Sequence, residues 1–146
     1  QNVTNSYPSS NPNFRRGGIG LFSTIEDYSK FTRMLLTGQS IDGETLLSSS
    51  MLRLFRANRS KPHELPLRIS DVTLPGYGWN LIGRTMVNLS LAVKPSSLGE
   101  FGWSGAGNTY FWVDPSENIS GVIMTQFLGS HYPLEEDIQW AIYKFI

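Results

Sequence analysis

The chain contains no cysteine. Disulfides and a thiol nucleophile are therefore excluded, while the compartment stays open. It has only two histidines, and neither a His-Glu-x-x-His motif nor a close carboxylate cluster, so no metal or other cofactor is expected. No glycine-rich loop ends in Lys-Ser or Lys-Thr, and the glycines at 102–107 run into strand-forming residues rather than a helix, which argues against phosphate binding. Twelve basic residues balance twelve acidic ones without forming a basic stripe, so nucleic acid is not an expected partner. No apolar run approaches the length of a membrane span. No signal peptide is visible at Gln1, and the missing initiator Met suggests a cut or trimmed chain.

What is present is a globular composition. A hydrophobic share of 40% over 146 residues is enough for one domain with a core. Residues 1–16, rich in Asn, Ser and Pro, read as a loop or arm. Ser23 and Glu26 have the spacing of a capping box, and Ile25, Tyr28, Phe31 or Thr32, and Leu35 share one helical face. A helix is expected over 24–37, closed by Gly38. Asp42-Gly43 signals a turn, and Ser48 caps a second helix from Ser49 to Ala57 with Met51, Leu52 and Phe55 inward. Residues 58–76 read as a long connection in which His63 is a surface residue.

From Tyr77 the period changes. Strands are expected at 77–82, 86–93, 101–104, 109–114 and 119–127, and the short links among the last three require antiparallel pairing. The last helix has Glu135, Glu136 and Asp137 in its first turn and Lys144 near its end, as the helix dipole prefers. Its expected buried stripe is Leu134, Ile138, Ala141, Ile142 and Phe145.

The most distinctive stretch is Phe101 to Asn108, with Gly102, Gly105 and Gly107 around Trp103 and Ser104. On spacing alone it is a hairpin turning on its glycines, or a place where a ligand comes close to bare backbone. Gly102-Trp103-Ser104-Gly105-Ala106 is also near the nucleophile elbow Gly-x-Ser-x-Gly. That elbow requires a helix after the serine, whereas Thr109 to Val113 reads as strand.

Together with its continuation Gly107 to Pro115 and with Gly121 to Gln126, the stretch resembles the third active-site motif of the serine β-lactamase and penicillin-binding-protein superfamily. The nearest likeness is to the class C-like branch and the family VIII carboxylesterases, which carry Trp-Ser-Gly or Trp-Gly-Gly there. Gly17-Gly18-Ile19-Gly20-Leu21-Phe22-Ser23-Thr24, followed by Asp27-Tyr28 and Phe31, resembles a second segment of that family. The resemblance implies an α/β fold of the α+β type, an antiparallel sheet flanked by helices, with 17–146 as the C-terminal part of a β-lactamase-like domain. It implies the backbone N–H of Ala106 as an oxyanion-hole donor, and Trp103, Ser104 and Gly105 as residues that bind an ester or amide substrate. The nucleophile of the superfamily lies in Ser-x-x-Lys, and no serine here has a lysine three residues later; Tyr-x-Asn is absent too. The expectation is a serine hydrolase, of esterase type, whose nucleophile comes from a missing N-terminal portion or a second chain. This chain alone is expected to be inactive. A non-catalytic ligand- or partner-binding remnant of the fold is the alternative.

Overall fold

The computed structural model describes residues 21–128 and 132–146. The arm at 1–16, the glycines at 17–20 and the loop around His131 lie outside the described residues. The elements run α1 (Ile25–Thr37), α2 (Ser49–Arg56), β1 (Leu67–Ile69), β2 (Val72–Leu74), β3 (Tyr77–Trp79), β4 (Arg84–Met86), β5 (Phe101–Gly105), β6 (Thr109–Asp114), β7 (Ile119–Ile123) and α3 (Leu134–Ile142). Strands β3 to β7 make one antiparallel sheet in sequence order; the links β3–β4, β5–β6 and β6–β7 are too short for crossovers. Strands β1 and β2 form a separate hairpin inside what reads in sequence as a long connection.

Helices cover both faces of the sheet. On one face Leu35 of α1 joins Phe101, Phe111 and Val113, with Tyr28 and Trp103 packed around them. On the other, Leu134 and Ile138 of α3 pack on Tyr110, Trp112 and Ile123. Strand β6 is therefore buried from Tyr110 to Asp114, which is why it reads as a continuous aromatic and β-branched run rather than an alternation. Fully burying one such large side chain stabilises the fold by about 1.5–3 kcal/mol.

Helix α1 follows expectation except at its start. Thr24, not Ser23, is the cap: its backbone is extended and its Oγ1 accepts the Asp27 amide at 3.1 Å. Tyr28, Thr32 and Leu35 turn inward, whereas Ile25 and Phe31 are 54% and 41% exposed. Gly38 closes α1, and Ser48 caps α2 over a buried Leu52.

Three strands depart from their sequence pattern, and β3, expected over 77–82, ends at Trp79. The strand expected over 86–93 is corrected: β4 runs Arg84–Met86 and shares only Met86 with it, because the Asn88 side chain accepts the Ser90 amide and starts a tight turn at Leu89–Leu91. Strand β7 ends at Ile123 rather than 127. Its partner β6 begins at Thr109, so the chain beyond has no ladder left, and Thr125 Oγ1 instead donates to the carbonyls of Gly107 and Asn108.

The stripe expected on α3 is corrected most strongly. Ala141, Ile142 and Phe145 are exposed, and the fully buried positions of the helix are Glu135 and Gln139. A hydrophobic period misses this face because it is charged: Arg84 and Lys94 point at it from the sheet side.

Candidate active site

Strands β5 and β6 pair from Phe101↔Val113 to Gly105↔Thr109, leaving Ala106, Gly107 and Asn108 as the turn. Gly102 is obligatory here, since a Cβ would fall 2.1 Å from the Phe111 carbonyl oxygen. Asn108 takes the left-handed conformation, φ 53°, and its N–H donates to Gly105 O at 3.1 Å. This is a three-residue hairpin loop closed by a left-handed residue. The hairpin expectation is thus met, and the nucleophile elbow is overturned: Ser104 sits within a strand and leads into another strand, not a helix.

The turn is tied down from behind. Asn108 Nδ2 donates to Phe127 O at 2.8 Å, and Asn108 Oδ1 accepts from Tyr110 Oη at 3.0 Å and from Tyr132 N–H at 3.1 Å. Thr125 Oγ1 donates to Gly107 O at 2.6 Å. These bonds fix the position of Ala106, which is itself exposed along with Gly105.

Beside the turn, β5 is bare among the described residues. Strand β4 pairs only with Phe101 and Gly102, so from Trp103 to Gly105 β5 has a sheet neighbour on one side alone. The Gly105 carbonyl points to the β6 side, where it accepts from Asn108. An antiparallel ladder alternates direction residue by residue, so the N–H and C=O of Ser104 point to the open side. Strand β4 is cut short by Asn80, whose Oδ1 accepts the amides of Ile82 and Gly83 at 2.7 and 2.8 Å and turns the chain back.

Trp103 and Ser104 are half-buried. Among the described residues nothing hydrogen-bonds the Ser104 hydroxyl. Trp103 meets Trp79 edge to face, ring centres 4.7 Å apart at 81°. The four residues singled out in sequence therefore lie together along one open strand edge and its turn. Trp79 was missed, because its strand reads only as core and the contact joins non-adjacent strands.

A second polar group was also missed. On the α3 face Glu135 Oε1 accepts from Arg84 Nη2 and, at 3.1 Å, from Lys94 Nζ, while Lys94 also donates to Gln139. Glu100 accepts from Tyr77 Oη at 3.0 Å and from Ser96. Burial first, and then the Glu100 charge, push the Tyr77 phenol well above its ordinary range. Burial holds the Lys94 ammonium below its usual value despite its two carboxylate neighbours. Two cations thus face two carboxylates, and the set pins α3 to the sheet. The only signal in sequence is Glu135 and Gln139 one turn apart, flanking Ile138.

Comparisons with known proteins agree with this architecture. The family model described as Beta-lactamase matches residues 2–143. Two proteins of Mycobacterium tuberculosis, the uncharacterized protein MT1414 (strain CDC 1551 / Oshkosh) and protein Rv1367c (strain ATCC 25618 / H37Rv), are each 37% identical over 114 residues, covering 74% of this chain. The chain spans only 28% of their length. Among solved structures it resembles EstCE1, described as a hydrolase with promiscuous acyltransferase activity, at a TM-score of 0.67 and 25% identity. That match covers 83% of this chain and 30% of EstCE1.

Proposed function

Because the chain belongs to the Beta-lactamase family, whose model spans residues 2–143, we propose that it forms the third-motif side of a serine hydrolase that acts through an acyl-serine. On this reading the chain corresponds to the C-terminal part of the catalytic domain. The serine and its lysine come from a Ser-x-x-Lys elsewhere in a longer protein. The serine oxygen attacks the substrate carbonyl, and the resulting oxyanion accepts from Ala106 N–H and from the serine's own amide. Collapse releases the alcohol, and water then frees the acid. The acyl chain lies along β5 as an added strand, held by the backbone of Ser104. One observation carries this: among the described residues the edge of β5 is unpaired from Trp103 to Gly105, immediately beside the anchored turn of Ala106.

The motif also bears on substrate. In β-lactamases the third-motif lysine offers a cation to the substrate carboxylate, a contact about twice as strong as a neutral hydrogen bond. Trp103 offers apolar surface in that position, which suits neutral esters. In the product of the complete reading frame, kcat/KM for a p-nitrophenyl ester is expected to exceed that for nitrocefin, and Trp103→Lys to narrow the gap. The 146 residues alone are expected not to hydrolyse p-nitrophenyl acetate, since they hold no Ser-x-x-Lys. A reading frame without Ser-x-x-Lys and Tyr-x-Asn upstream of Gln1 would overturn the catalytic reading in favour of a ligand- or partner-binding remnant.

A further inference from the structure

We propose that Trp79 and Trp103 together form a subsite for an aryl acyl group, with Trp79 as a specificity-determining residue; this rests on the serine-hydrolase reading above. The two rings meet at the one stretch of β5 that has no β4 beside it. Trp79 is set there by its backbone: its N–H donates to Ser60 Oγ at 3.0 Å and its C=O accepts from Arg59 N–H at 2.6 Å. The Asn80 turn that follows brings Gly83 against Gly102 and Trp103, so close that a Cβ on Gly83 would fall 2.3 Å from the Gly102 carbonyl oxygen, and β4 pairs no further along β5.

Trp103 packs at the rim of the Leu35, Phe101, Phe111 and Val113 cluster, and Trp79 meets it from outside that cluster. Both tryptophans are half-buried, whereas the core aromatics Phe101 and Trp112 are 0% and 2% exposed. In an edge-to-face pair, the ring that presents its edge keeps both of its faces clear of its partner. A third aromatic ring stacked on such a face would leave the edge-to-face contact intact. An acyl group extended along β5 from a carbonyl near Ala106 passes this wall. A flat aryl group gains stacking there, while a flexible alkyl chain gains only apolar contact and loses rotamer freedom.

The test uses the product of the complete reading frame and two substrates with the same leaving group, p-nitrophenyl benzoate and p-nitrophenyl butyrate. The readout is the ratio of their kcat/KM values. Trp79→Leu is expected to lower the benzoate-to-butyrate ratio by roughly threefold to tenfold, the worth of one aromatic pair, and Trp79→Phe to retain most of it. Trp79→Ala should act as Leu does; if it fails to fold, Leu and Phe still decide the matter. A ratio unchanged in Trp79→Leu, with both esters turned over, overturns the subsite alone. Failure of the wild type to hydrolyse either ester overturns the serine-hydrolase reading and the subsite with it.

Discussion

At Gly121 a single methyl group is too much. It lies across the ladder from Trp112, and a Cβ there would sit 2.1 Å from the indole ring. Trp112 is 2% exposed and packed under α3, so the ring has nowhere to go. Overpacking of this kind costs about 1–3 kcal/mol. Gly121→Ala is therefore expected to lower Tm by at least a few degrees, and Trp112→Phe in the same chain to restore part of the loss. An alanine variant as stable as the wild type would show that the ring can yield. Local sequence carries half of this. A glycine within a strand signals close approach, but the ring that approaches belongs to the neighbouring strand and is fixed by register. Asn108 repeats the lesson. Its turn is legible from Gly105 and Gly107, whereas the bond to Phe127 spans 19 residues and has no local signature.

Helix α3 shows where reading by element succeeds and where it stops. Its start, its acidic first turn and the apolar positions Leu134 and Ile138 are all legible. The rest of its buried face is not, because Glu135 becomes a buried position only through Arg84 and Lys94, which the fold brings from β4 and the following loop. Phe145, assigned to the core by its period, is 88% exposed. The energetic consequence is specific. Glu135→Ala leaves Arg84 without its carboxylate, and Lys94 with Glu100 alone, 3.9 Å away. Removing one partner of a buried pair costs about 3–5 kcal/mol, whereas replacing both by apolar residues is often near neutral. In urea unfolding, Glu135→Leu and Arg84→Met are each expected to be strongly destabilising. The double variant should lose clearly less than their sum. Additive losses would mean that the pair adds nothing beyond its separate parts.

For the whole molecule, the order of β5, β6 and β7 was legible because their short links leave antiparallel neighbours as the only solution, whereas the 14 residues between β4 and β5 leave the placing of β3 and β4 open to the fold. What lies beyond the sheet is not legible from pattern. Among the described residues β7 pairs only with β6, so its outer edge carries unpaired backbone groups. Large apolar side chains also stand exposed on the chain, Phe22 at 76% and Trp140 at 53%. An open edge is a template for another strand, and β7 lacks the lysines and prolines that usually protect one. The 146-residue chain on its own is therefore expected to associate through β7 or to be poorly soluble. Light scattering across a dilution series should give a mass above the monomer that falls on dilution. The amides of 119–123 should gain exchange protection as concentration rises, and Ile119→Lys should shift the equilibrium toward monomer by placing charge at the edge. A concentration-independent monomer with those amides already protected would show that the edge is covered from within the chain.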